Sequence, residues 1–303
     1  MTTIEEKIAK NWVTGYDFPA LQAGWVKKYQ TTLAAPLDIQ SLVFNIRRAP
    51  FNDIHLRQAL TYAYDFEWQN KTLFFNQYQR LQSYFEHSDL AATGQPSVAE
   101  RRILAPFLAK LHPVMQKGVL ANWRYPVSDG RGFNRQNLLT AQQILKTAGY
   151  VIQNGKLYDR QGKAIRIKLL LQQHNPTREL MLFVRNLKRL GIQVNLRQVD
   201  NPQYTERIRR QNFDMMVLRL PQTLTPGKEQ AQFWGSAAAD EVGNYNYAGI
   251  KNPAIDAVIA KIVAAKNRDE VVLYSHVLDR LLRAGYYQIL TYGKPEHWFA
   301  YCN

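Results

Sequence analysis

The sequence predicts an α/β fold in which helices cover a parallel sheet, and three observations carry that expectation. Residues 165 to 220 alternate strand, helix, strand, helix, strand, an order that brings parallel strands together through right-handed crossovers. A strand-forming apolar run, "QSLVFNI", feeds directly into a capped amphipathic helix, half of another such unit. With 303 residues, 46% of them hydrophobic and 12% aromatic, the chain can bury one or two domain-sized cores.

Each element follows from local chemistry. Asn52 or Asp53 offers a side-chain oxygen to the free N–H groups of a first helical turn. Leu56, Ala59, Leu60 and Ala63 then recur at helical spacing, so one face packs inward. Asn134 can cap a helix carrying Leu138, Ala141, Leu145 and Ala148, and Gly149 is placed to end it in the left-handed conformation. Asn154-Gly155, between two strand-like runs, signals a type I′ hairpin. In "AIRIKLLLQ", Ile165, Ile167, Leu169 and Leu171 point inward while Arg166 and Lys168 point outward. Pro176 opens a helix whose stripe of Leu180, Phe183, Val184 and Leu187 stops at Gly191, and the strand "IQVNLRQV" follows at once. Pro202 opens a helix to about Gln211, and "FDMMVLRL" is the next strand. Asn252 and Pro253 cap and begin a helix with Ile255, Val258, Ile259 and Ile262, another runs from about Arg268 to Gly285, and "YYQILTY" is strand-like. Residues 221 to 251 have little periodicity, and a loop that long is either functional or disordered. Phe233, Trp234, Tyr245 and Tyr247 argue for packing over disorder.

Composition narrows the function classes. No apolar run approaches the roughly 18 to 20 residues that span a bilayer, and "MTTIEEKIAKNW" lacks the apolar core of a secretory signal. The single cysteine, Cys302, builds neither a disulfide framework nor a zinc site. The net charge of +15 suits nucleic acid, an anionic membrane or an acidic ligand, but the basic residues are scattered over helices and form no run of five or six. The aromatics are not interleaved with Lys and Arg in an RNA-binding pattern. There is no G-x-S-x-G elbow, no H-E-x-x-H and no complete phosphate loop, since "PGKEQ" lacks the upstream glycine and the following Ser or Thr. "DGRG" reads as a glycine-rich turn, and the six histidines lie far apart. No catalytic residue, metal ligand or cofactor motif is identified.

Several stretches, in order, carry a resemblance: "RAPFNDIHLRQALTYAYDFEW", "SYFEHSDLAATGQPS", "NLKRLGIQVNLRQVDNPQYTERIRRQNFDMMV", "FWGSAAAD" and "AGIKNPAIDAVIAKIVAA". They resemble the family 5 extracellular solute-binding proteins, the peptide-capturing subunits of ATP-driven importers, in the oligopeptide branch that also admits microcin C-type peptides. The similarity runs from about Asn11 to Trp298. It implies one lobe of a type II periplasmic-binding-protein-like fold, with a mixed, largely parallel sheet. It also implies a binding protein rather than an enzyme, an oligopeptide ligand, permease partners at the inner membrane, no nucleic acid, and a periplasmic location for the full-length family.

Members of that family are about twice this length and carry a signal peptide. The resemblance therefore implies a fragment: residues 1–38 as a remnant of the first lobe, 39–291 as the second lobe with its hinge strands, and 292–303 as a truncated tail returning to the first lobe. The resemblance leaves export open and implies weak or no peptide binding by the chain alone. The hinge would pair residues 39 to 48 with 286 to 292.

Several candidate ligand contacts fall within that arrangement. Arg47 and Arg48 either meet a peptide carboxylate at the cleft or are solvated strand-end residues. Gln222 and Thr223 lie in "RLPQTLTPGKEQ", where many relatives place an Asp after a Trp for the peptide's amino terminus; Glu229 either substitutes for that missing Asp or is a surface glutamate. Phe233 and Trp234 wall a pocket or pack in the core, and Tyr84, Phe85 and Glu86 are further candidates from another family-like segment. Two rival readings are a basic nucleic-acid-binding module and an enzyme that uses residues 221 to 251 as a lid.

Overall fold

The computed structural model describes residues 3–33, 35–175 and 177–302. Its strands, in chain order, are β1 (Thr3–Glu6), β2 (Val26–Thr32), β3 (Ile39–Phe44), β4 (Gln79–Arg80), β5 (Val151–Gln153), β6 (Lys156–Tyr158), β7 (Arg166–Gln172), β8 (Gln193–Val199), β9 (Met215–Leu220), β10 (Gln288–Leu290), β11 (Tyr292–Gly293) and β12 (Glu296–Cys302). The main sheet has the order β10-β3-β9-β7-β8. β7 lies parallel to both β8 and β9, while β3 is antiparallel to β9 and to β10. Four strands therefore run one way and β3 alone runs the other. The sheet is mixed and largely parallel. The alternation in residues 165 to 220 captures β7, β8 and β9, and says nothing about β3, which precedes it in the chain.

Two cores flank this sheet. Leu42 and Phe44 of β3, with Leu169 and Leu171 of β7, face the helices Ile54–Ala63, Arg135–Thr147 and Met181–Arg189. Ile39 and Val43 of β3, with Leu170 and Met216, face the helices Pro253–Ala264 and Arg268–Ala284. Alternate residues of each strand thus feed opposite cores, as the pleat requires. The Ile54–Ala63 helix begins at Asp53, whose side chain accepts the His55 N–H, so of the two candidate caps Asp53 is the one used. Asn134 stands before its helix with a positive φ of 48° and makes no capping bond. Its amide instead donates to the Tyr62 carbonyl at 2.9 Å, tying the two helices together. Pro176, read as a helix opener, lies outside the described residues; the turn resumes as a 3-10 segment, Thr177–Leu180.

The 221–251 region is neither a plain loop nor a lid. It contains a short helix, Glu229–Trp234, and a 3-10 turn, Ser236–Ala239. Trp234 is 2% exposed and packs edge-on to Tyr84, while Ser236 donates to Asp256 on the next helix. A segment anchored by its largest side chain cannot swing without emptying a core site.

A second, small sheet has the order β1-β12-β2, all antiparallel. Two chain crossings, residues 35–38 and 291–295, join it to the main sheet, and β4 pairs with β11 beside the second crossing. β3 and β10 are directly paired, Gln288 opposite Val43 and Leu290 opposite Ser41, and the Ser41 hydroxyl donates to Gln288 at 2.8 Å.

Candidate functional site

A pocket of about 520 Å³ opens where these crossings separate the small sheet from the main one. Residues of both crossings line it, Leu33 and Ala35–Asp38 on one strand path and Tyr292–Lys294 on the other. Side chains of both signs surround it. Asp38 and Arg219 are joined at 2.8 Å, and Glu5 accepts from His297 at 2.7 Å, a hydrogen bond that holds the Glu5 carboxyl below its ordinary value. Lys294 donates to the Glu6 carbonyl at 3.0 Å and lies over the Trp298 ring; burial lowers its pKa. Tyr78 and Tyr292 stack at 5.1 Å along one wall. Burial raises both phenols, and the Tyr292 hydroxyl donates to Glu179. Gln222, two residues past the end of β9, completes the lining: both polar atoms of its amide are buried and meet no partner among the described residues. A buried amide left so needs a donor and an acceptor from elsewhere.

Of the residues singled out from sequence, Gln222 alone lines this pocket. Thr223 beside it is exposed and closes its own turn, its hydroxyl accepting the Thr225 N–H at 2.9 Å. Glu229 likewise turns inward on the chain, accepting the Gly227 N–H at 2.7 Å at the start of its short helix. Phe233 is half-buried against Tyr245, and Trp234 is in the core, donating to Gln230 at 3.0 Å. Tyr84 and Phe85 are fully buried, which corrects their reading as ligand contacts. They belong to a turn held by Glu86, which accepts the Gln82 and Ser83 N–H groups, and by Asp279, which accepts from Ser83, Tyr84 and Ala92.

Arg47 requires the same correction. Its guanidinium donates to the carbonyls of Ala239, Asn246 and Tyr247 and to Asn45, so every N–H it carries is engaged. Burial pulls its pKa down to about 10, which leaves it charged. It is a staple between the end of β3 and the 236–250 segment, not a receptor for a carboxylate. Arg48 points elsewhere, to Asp214 at 3.6 Å, at the end of the sheet remote from the crossings.

The sequence pattern described as "Bacterial extracellular solute-binding proteins, family 5 Middle" matches residues 9–241. The chain belongs to that family. Among curated family 5 relatives, a probable peptide-binding protein YejA of Agrobacterium fabrum is 39% identical over 302 residues, covering 99% of this chain and 49% of its own length. Among solved structures, the oligopeptide-binding protein AppA of Bacillus subtilis in complex with a nonapeptide superposes with a TM-score of 0.69 at 18% identity, covering 97% of this chain and 53% of that one. NikA of Brucella suis in complex with Fe(III)-EDTA gives 0.67 at 16% identity, covering 98% and 52%. These superpositions show a shared α/β fold with a mixed sheet. The chain spans about half the length of the curated relatives it matches.

For a family 5 chain the unforeseen lining residues are Asp38, Tyr78, Arg219, Tyr292 and Lys294. They come from four separate stretches, with only Tyr292 and Lys294 near each other in the chain, so no local pattern marks the set. Only the crossing of the two sheets brings them together.

Proposed function

We propose that this chain is the second lobe, with parts of the first, of a solute-binding protein of a peptide importer. In this reading residues 39–291 form the second lobe, 1–38 and 292–303 belong to the first, and the crossings are the hinge. Ligand sits in the pocket at the hinge and is passed, outside the cytoplasmic membrane, to permease subunits. Oligopeptides, including microcin C-type peptides, are the ligand class. One observation carries the reading: the 520 Å³ pocket between the sheets joins an unpartnered amide, Gln222, to charges of both signs, Glu5, Asp38 and Glu296 against Lys7, Arg219 and Lys294. A peptide is complementary to such a surface, having main-chain donors and acceptors along its length and opposite charges at its ends. The family is one of binding proteins rather than enzymes.

Affinity follows from the division of contacts. If a two-lobed protein holds a peptide at about −8 kcal/mol, half of the contacts amount to about −4 kcal/mol, roughly millimolar. Contacts are not additive, and a lone lobe also escapes the cost of closure, but the sign is fixed. Calorimetry with a mixed tri- to hexapeptide pool should find weak binding to this chain. Supplying the missing half from a relative should give tight binding of unmodified peptide, and Gln222→Ala in that assembly should weaken it about three- to tenfold. Failure of the completed protein to retain any peptide, or release of cleaved peptide, would overturn the proposal.

A further inference from the structure

A smaller pocket, about 260 Å³, lies at the far end of the main sheet, where β9 begins. Strand register builds it. Lys168 and Leu170 of β7 point to the same face, Arg197 of β8 stands directly opposite Leu170, and the Asn201–Arg209 helix packs over that face and contributes Arg207. Arg48 enters from the end of the β3 path. Lys168, one of the outward-pointing residues of its strand, is exposed and lines this recess together with Arg207 of the helix.

Its charge is unbalanced. Arg48, Lys168, Arg197 and Arg207 face a single lining carboxylate, Asp214, so the recess carries 4 − 1 = +3. That carboxylate is already engaged, with Arg48 at 3.6 Å and with the Lys168 N–H, which donates at 3.0 Å. The acid next to Arg207 in the chain, Glu206, is turned away and held by Arg209 and Arg210. Arg207 Nε is buried with no partner among the described residues. Like charges gathered at this density repel one another and weaken the fold unless an anion joins them.

We propose that this recess is an anion site that takes a phosphate group. Two planar guanidinium forks and an ammonium arriving from a helix and two strands offer donors in several directions, which a tetrahedral, doubly charged oxyanion can accept together. A carboxylate, planar and singly charged, would leave most of them without a partner. The volume equals about nine water molecules, enough for a phosphate group and its remaining hydration. The phosphate arrives either free, as inorganic phosphate or pyrophosphate, or on an anionic lipid headgroup. The site is separate from the pocket at the crossings and does not depend on what binds there.

Calorimetry with pyrophosphate at constant ionic strength, balanced with chloride, tests the site directly. Submillimolar binding is expected, falling at least tenfold in Arg197→Gln/Arg207→Gln. Flotation with phosphatidylglycerol vesicles against phosphatidylcholine vesicles separates the two sources: variant-sensitive binding to the former alone assigns the lipid headgroup, and to pyrophosphate alone the free ion. Because the substitutions remove repulsion, the anion-free melting temperature of the double variant should be unchanged or higher. Should that variant not fold, Lys168→Gln serves the same purpose, with a threefold or greater loss expected. The proposal is overturned if neither ligand binds, if chloride competes equally, or if the folded variant binds as the parent does.

Discussion

Arg47 and Arg48 are neighbours in the chain yet do different things, and the difference lies in which acceptors surround each. Three carbonyls of the 236–250 segment converge on Arg47, whereas Arg48 reaches the Gln211 carbonyl and Asp214 beside an open recess. Sequence names both as arginines at a strand end and cannot say where carbonyls two hundred residues away will lie. Aromatic residues pose the same difficulty. Trp234, Tyr84 and Phe85 have the composition of pocket walls, but burial in the core satisfies the same apolar surface. Charged pairs give this scale its testable consequence. Glu100, 3% exposed, has a pKa of about 2: burial alone would raise it, but hydrogen bonds from His276 and the Ser97 N–H, with Arg280 nearby, outweigh that. Being depressed, it contributes stability fully above its ordinary 4.5 and loses it as pH falls toward 2. The amount is about 3 kcal/mol. His276 is raised, because Glu100 and the Asp89 carbonyl overcome its burial; its contribution is complete below 6.5 and fades as pH rises through the raised value. Urea midpoints should therefore be highest between about pH 4.5 and 6.5 for this pair, and Glu100→Gln should flatten the acid limb. An acid limb of equal slope in the variant would remove Glu100 from the account.

At the scale of elements, the sequence was legible where periodicity and punctuation agree. The hairpin turn at Asn154-Gly155 has both residues at positive φ, and Gly149 ends its helix with φ of 85°. The 229–234 helix escaped because six residues are too few to show a helical period, and the direction of β3 escaped because local pattern carries no information about long-range pairing. Gly191 shows how an element end is specified. It follows the Met181–Arg189 helix with φ of 79°, its carbonyl accepts the Leu157 N–H at 2.9 Å, and a Cβ there would lie 2.7 Å from that nitrogen. Gly155 has a similar φ of 71° but open space around it. Both substitutions to Ala incur the left-handed cost of about 1 kcal/mol. Only Gly191→Ala adds a clash with backbone, so its total loss should be about 2–4 kcal/mol. Denaturant unfolding of the two variants side by side checks this, and equal losses would show that β6 gives way without cost.

The whole molecule is uneven in how well its surface is finished. Large apolar residues are exposed at several places on the main body, the neighbours Val151 and Ile152 among them, and Ile4, Ile8, Val13, Trp25 and Tyr29 fall within the first 29 residues, on or beside the small sheet. Trp25 is 71% exposed, and Tyr29 stands opposite a partly exposed Phe299 on β12. Ile4 shares a face with Ala300 and the buried Trp298, whereas Tyr29 and Phe299 lie on the other face, and exposed aromatic surface of that kind suits contact with another protein surface. Relatives of twice this length have the additional chain to supply one. In its absence a second copy of the same sheet is the available cover, opposed by the +15 net charge that each copy carries. The two effects respond oppositely to salt: screening weakens the repulsion, while apolar contact is unaffected or strengthened. Sedimentation should therefore find a self-associating chain whose association increases from low to moderate salt, and Trp25→Ser/Tyr29→Ser should return it toward monomer at every salt concentration. A chain that stays monomeric throughout, or one whose association falls as salt is added, would show that the small sheet is a finished surface and that charge, not apolar area, governs contact between copies.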